Sequence, residues 1–177
     1  MQWLAPIMGF LGGVVAASVT AIITVRTNRS KMAADIRSRW DAALLEKAND
    51  LTEATRSLRH LAEGYPQCVD RDAQTARLDE VHQRLRITSE QLRLVGDIRV
   101  QAAARRILQH GYAVRTQAET GEDPRAAQYQ THPPVSRLND ALQEFYRAVR
   151  HQLRAPDADD VLHDDDLDAI ALSAGNP

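Results

Sequence analysis

The run from Trp3 to Val25, 23 residues without one ionisable side chain, constrains this chain more than anything after it. A helix rises about 1.5 Å per residue, so the run covers roughly 34 Å, enough for a hydrocarbon core of about 30 Å. Trp3 stands near one end, where an amphipathic ring favours the interface. Pro6 falls in the first turn, where a missing N–H costs least. Arg26, Arg29 and Lys31 follow at once, whereas Met1 and Gln2 add no charged side chain. The positive-inside bias then predicts one transmembrane helix over 3–25 in the cell (inner) membrane, its N-terminus outside and the body cytoplasmic. The rival is a cleaved secretory signal, for which Ala16, Ala17 and Ser18 offer small residues. Against it, the leading residues lack Lys and Arg, and the apolar run exceeds the usual 7–15-residue core of a signal.

Within the run, small residues recur every four positions at Ala5, Gly9, Gly13, Ala17 and Ala21. Small side chains on one face let two backbones approach closely, which is how membrane helices pack without a hydrophobic driving force. A neighbouring row holds Gly12, Ala16 and Thr20. The spacing predicts self-association, so a homo-oligomer in the bilayer is the expected assembly.

The net charge of −2 conceals three segments. Residues 1–25 are uncharged, residues 26–154 hold 22 basic against 17 acidic side chains, and residues 155–177 hold seven aspartates. Beyond the apolar head, then, lie a mildly basic body and an acidic tail. The tail alone cannot bury enough apolar surface to fold, so 155–177 is expected to be disordered. Its role is either solubilising, or a short helical motif for an unknown basic protein partner, or a cover for the protein's own basic body.

Between head and tail the apolar spacing is helical throughout. Over about 30–63, Ile36, Trp40, Leu44, Ala48, Leu51, Thr55, Leu58 and Leu61 keep one face, and Gly64-Tyr65-Pro66 ends the helix with Gly64 as its cap. Over about 70–95, Leu78, Val81, Leu85, Thr88, Leu92 and Val95 alternate steps of three and four, the seam of a coiled coil or bundle. Thr88-Ser89-Glu90-Gln91 matches a capping box, so a break there is also open. Asp97 caps a helix over about 97–118 that places Ala103, Ile107, Gly111 and Val114 on one face. Residues 119–134, punctuated by Gly121, Pro124, Pro133 and Pro134, form a loop long enough to be either functional or disordered. A final helix over about 135–154 carries Leu138, Leu142, Phe145, Val149 and Leu153. The fold expected is all-α: a transmembrane helix followed by a three- or four-helix cytoplasmic bundle over 30–154.

The Gly/Ala-rich span, the exit Val25-Arg26-Thr27-Asn28-Arg29, and Leu92-Arg93-Leu94-Val95-Gly96 leading to Val100, Ala102 and Ala103 carry a resemblance. Over residues 3–110 the chain resembles small, largely uncharacterised single-pass membrane proteins of actinobacteria and their phages. The resemblance implies the same architecture and carries over no catalytic residue.

No constellation in the sequence supports catalysis. The six histidines, at 60, 82, 110, 132, 151 and 163, never pair at i,i+3 or i,i+4, so no metal site is expected. His110, three residues after Ile107, reads as a boundary histidine. Cys68 is the lone cysteine, which excludes an internal disulfide, and with Asp70 and Asp72 nearby it is not expected to act as a nucleophile. No cofactor motif is present. Arg84, Arg86, Arg93, Arg99, Arg105 and Arg106 lie along two helices, but Arg84 and Arg86 project about 200° apart. Stacking aromatics are absent there, so a solvated surface is expected and nucleic acid is not the favoured partner. Anionic lipid suits Arg26, Arg29, Lys31, Arg37 and Arg39 better. The sequence therefore reads as a membrane-anchored, non-enzymatic helical interaction protein. The alternative is a tethered module binding anionic lipid or nucleic acid through its Arg-bearing helices.

Overall fold

The computed structural model describes the backbone of residues 4–162 and the side chains of residues 28–162. Four α-helices and one 3₁₀ turn account for the regular structure, with no strand among the described residues. The helices are α1 (Leu4–Gly64), α2 (Arg71–Val95), α3 (Ile98–Thr120) and α4 (Pro134–Gln152). The chain divides into two units, residues 1–42 and residues 43–177. Among the described residues no helix is long and apolar enough to cross a membrane. The span expected over 3–25 lies outside the residues whose side chains are described.

In the first unit, the described part of α1 keeps its side chains in solvent through Trp40. Ile36 and Trp40, expected to begin the bundle face, are exposed, and burial starts at Leu44. Spacing identifies an apolar face, but burial also needs a second surface. The exposed pair Arg39–Asp35, 2.9 Å apart at i,i+4, decorates this stretch.

The second unit is a four-helix core. Leu44, Leu51 and Leu58 of α1 meet Leu78, Leu85 and Leu92 of α2, all fully buried. The seven-residue step of the α2 leucines keeps them on one stripe, as two turns of helix require. Val100, Ile107 and Val114 of α3, with Leu138, Leu142 and Phe145 of α4, complete the core. Thr55, a polar member of the α1 face, donates its hydroxyl to the Leu51 carbonyl at 2.7 Å and is satisfied inside its own helix.

The ends of the helices follow local chemistry. Asp70 accepts from the Ala73 N–H at 3.0 Å to start α2. Asp97 accepts from the N–H groups of Arg99 and Val100, both at 2.9 Å, to start α3. Gly121, at φ 80°, closes α3 in the left-handed region with its N–H on the Gln117 carbonyl at 2.8 Å. The junction between α2 and α3 is tight, for a Cβ at Gly96 would lie 2.7 Å from Val100 Cγ1. Gln152 at the end of α4 clamps that junction, accepting from the Asp97 N–H at 2.7 Å and donating to the Val95 carbonyl at 2.8 Å.

Three expectations need correction. Gly64 does not cap α1 in the left-handed region but stays helical at φ −78°, and the helix leaves through a 3₁₀ turn at Tyr65–Gln67. Pro66, lacking an N–H, is enough to stop the ladder. The Thr88 capping box does not break α2, and Thr88 and Ser89 are buried within it. Continuing the helix keeps both Leu85 and Leu92 in the core, which outweighs a local cap. Residues 155–162, expected to belong to a disordered tail, fold back on α4. Arg150 Nη2 donates to the carbonyls of Pro156 (3.1 Å) and Asp157 (3.0 Å), and His151 Nε2 lies 2.7 Å from Asp159 Oδ1. Residues 163–177 of the acidic segment lie outside the described residues.

Leu85 is fully buried between helices. Truncating a buried leucine costs about 2–5 kcal/mol, and an unpaired carboxylate adds a desolvation penalty. Leu85→Asp should therefore lower the thermal midpoint of the full chain sharply, followed by circular dichroism. An unchanged midpoint would show that this seam does not carry the bundle.

Candidate functional site

On α4 the apolar positions Leu138, Leu142, Phe145 and Val149 make the core face, and Arg137 enters the same environment. It stands four residues before Ala141 and eight before Phe145, so its side chain starts from the buried register. The Arg137 side chain is only 3% exposed, and its Nη2 donates to Asp123 Oδ2 at 2.8 Å. Asp123 also accepts the Arg125 N–H on Oδ1 at 2.9 Å. Burial pushes the Asp123 carboxyl up, but the Arg125 amide and the Arg137 guanidinium outweigh it and hold the group below its ordinary value.

Tyr129 covers the pair. Its ring centroid lies 4.5 Å from Arg137 Cζ and 5.3 Å from Arg125 Cζ, within cation–π range of both. The ring of His110 on α3 meets it edge-on, 5.5 Å between centroids at 79°. One acidic and one aromatic residue thereby tie the segment 121–133 to α3 and α4. His110, expected at the boundary, is instead buried, and its Nδ1 has no hydrogen-bond partner. Arg137 Nε and Nη1 also lack partners.

These groups border an open cleft of about 490 Å³ lined by Arg106 and His110 of α3, by Tyr129 and His132, and by Arg137, Asp140, Ala141, Glu144 and Arg147 of α4. Arg106 pairs with Glu144 across it. Asp140 is engaged as well, while Arg147 is exposed and makes no ion pair among the described residues. The cleft therefore offers guanidinium and imidazole donors beside an aromatic face. It can bind an anion and shows no paired nucleophile and base.

The side chains singled out in the sequence fall elsewhere. Ala5, Gly9, Gly13, Ala17, Ala21 and Arg26 lie outside the residues whose side chains are described, while Arg29 and Lys31 are exposed. Leu78, Leu85 and Leu92 are fully buried; Val81 and Val95 are partly buried against the same core. Cys68 is a free thiol that donates to the Asp70 carbonyl at 3.0 Å. Arg84 and Arg93, on the Arg-bearing helices, are matched by carboxylates of Glu53 (3.3 Å) and Glu90 (2.9 Å). Among the described residues no group of three His, Cys, Asp or Glu gathers as a metal site would require. Arg137 was not singled out; an arginine in the register of Ala141 and Phe145 was the available signal. Comparison with protein-family models, with curated proteins and with solved structures finds no match to this chain.

Two histidines make stability depend on pH in one direction. Burial, then repulsion from Arg137, Arg125 and Arg106, lowers the His110 pKa from 6.5 despite the opposing Asp123. Burial, then Arg115, lowers that of His82, with Arg86 adding to it and Asp79 and Glu119 opposing. The folded chain thus binds fewer protons than the unfolded one between each depressed value and 6.5. Stability should be fully present above pH 6.5 and fall as the pH drops through that window. Urea titrations between pH 7 and 5 should show the loss, and His110→Gln should reduce its slope.

Proposed function

We propose that this chain is a membrane-anchored, non-enzymatic helical interaction protein that associates with copies of itself. The anchor is the apolar run over 3–25, and Arg26, Arg29 and Lys31 behind it favour a cytoplasmic body in the inner membrane. The resemblance to single-pass proteins of actinobacteria and their phages points the same way. One observation carries the self-association. Met32, Ile36 and Trp40 stand at i, i+4 and i+8 on α1 and are 69%, 53% and 53% exposed. Three large apolar side chains on one stripe of a helix are a surface for another helix. The row Ala5, Gly9, Gly13, Ala17, Ala21 in the apolar run supports a second, separate contact within the bilayer.

A second reading, attachment to anionic lipid, is favoured by the exposed Arg29, Lys31 and Arg37 close behind the apolar run. Its nucleic-acid form has less support, because Arg84, Arg93 and Arg106 are already matched by carboxylates.

Cysteine placed at position 36 of the full-length chain, with Cys68 changed to Ser, should give a dimer-sized product on oxidation of bacterial membranes. Trp40→Glu and the pair Gly9→Ile with Gly13→Ile should each reduce it, and Gly12→Ile should do less. A monomer throughout would remove self-association and leave the lipid reading.

The orientation is tested separately. A cytoplasm-only reporter fused to the C-terminus should be active. Activity of a periplasm-only reporter there would reverse the assigned topology.

A further inference from the structure

The cleft between α3, α4 and residues 121–133 carries an inference independent of the membrane reading. Arg137 is a buried cation with more donors than its surroundings use. Asp123 takes Nη2, while Nε and Nη1 meet no oxygen although the side chain is 3% exposed. Asp123 balances the charge and Tyr129 lies over the guanidinium face, but a ring face gives no lone pair in the guanidinium plane. Buried N–H groups in this state are poised for an acceptor.

The other donors come from different directions. Arg106 and His110 belong to α3, Arg147 to α4, and His132 to the connecting segment, and all of them line the cleft. Thr131 Oγ1 lies 3.1 Å from His132 Nδ1; in the tautomer in which the hydroxyl donates to that nitrogen, Nε2 carries the proton and is the donor for a ligand. A carboxylate meets a guanidinium fork in one plane, whereas donors on three sides match the oxygens of a tetrahedral oxyanion. The volume of about 490 Å³ is in the range of small-molecule sites and larger than a lone ion fills. Glu144, already held by Arg106, and Asp140 limit the surplus positive charge, which disfavours a polyanion.

We propose that this cleft binds a small organic phosphomonoester, its phosphate held by Arg137 and Arg147 with His132 Nε2 as a further donor. Tyr129 shifts off Arg137 as the phosphate takes Nε and Nη1, and its ring face turns to the organic part of the ligand. The charge of Arg147, the unused N–H groups of Arg137 and a planar wall define the ligand class.

The test uses the full-length chain in detergent micelles, with its thermal midpoint read by circular dichroism. Inorganic phosphate and phenyl phosphate are titrated against sodium chloride at matched ionic strength. Both phosphates should raise the midpoint with saturation, because a ligand of the folded state stabilises it by mass action. Phenyl phosphate should saturate at the lower concentration. Arg147→Met and His132→Asn, both at exposed side chains, should each weaken the response about tenfold or more. Arg84→Met, at a residue paired with Glu53 outside the cleft, should leave it intact. A rise that does not saturate, or one that survives both cleft substitutions, overturns the site. Saturation by phosphate with no gain for phenyl phosphate overturns the monoester assignment.

Discussion

The four-helix core depends on how closely α3 approaches its neighbours at Gly111. A Cβ there would stand 3.0 Å from Leu58 Cδ2 of α1 and 3.7 Å from Leu85 Cδ2 of α2. The missing side chain is the space into which two leucines from two other helices project. Close-packed interiors respond to a single methyl group, so a Cβ here would crowd Leu58 of α1 while only touching Leu85 of α2, and a larger side chain would have to displace both. With that separation set, Ile107 and Val114 fall one turn either side of the contact and continue the core in both directions.

On its far side α3 faces α4, and there the packing is not wholly apolar. The Arg137–Asp123 pair sits where an apolar core would otherwise continue. A buried ion pair gives back in attraction about what it loses in hydration, so it adds little net stability. What it adds is placement. Residues 121–133 contain no helix, and without Asp123 on Arg137 and Tyr129 on His110 they would have few fixed contacts. The pair thus turns a long connection into the wall of a cleft, with unused guanidinium donors left over.

Much of this bundle was legible in the sequence because its signals are local and periodic. The step of seven from Leu78 to Leu85 to Leu92 marks a buried stripe whatever packs on it, and Asp97 before Ile98 marks a helix start. The cleft was not legible for the opposite reason. By spacing alone His110 is a boundary residue, since its position on α3 places it at the core's edge; its burial comes from Tyr129, 19 residues later. Arg137 finds Asp123 across a segment of turns, and no periodicity specifies that meeting. The face of α1 was misread at Ile36 and Trp40, since a helical pattern records an apolar side and says nothing of what covers it.

The clamp made by Gln152 bears on the order in which the chain assembles. Its amide holds the peptide groups of Val95 and Asp97, 57 and 55 residues earlier, at the bend between α2 and α3. During synthesis α2 and α3 leave the ribosome well before that glutamine does. The bend between them waits for the last turn of α4, and closing so long a loop is slow compared with forming each helix. The bend between α2 and α3 is therefore fastened only once the end of α4 has been made.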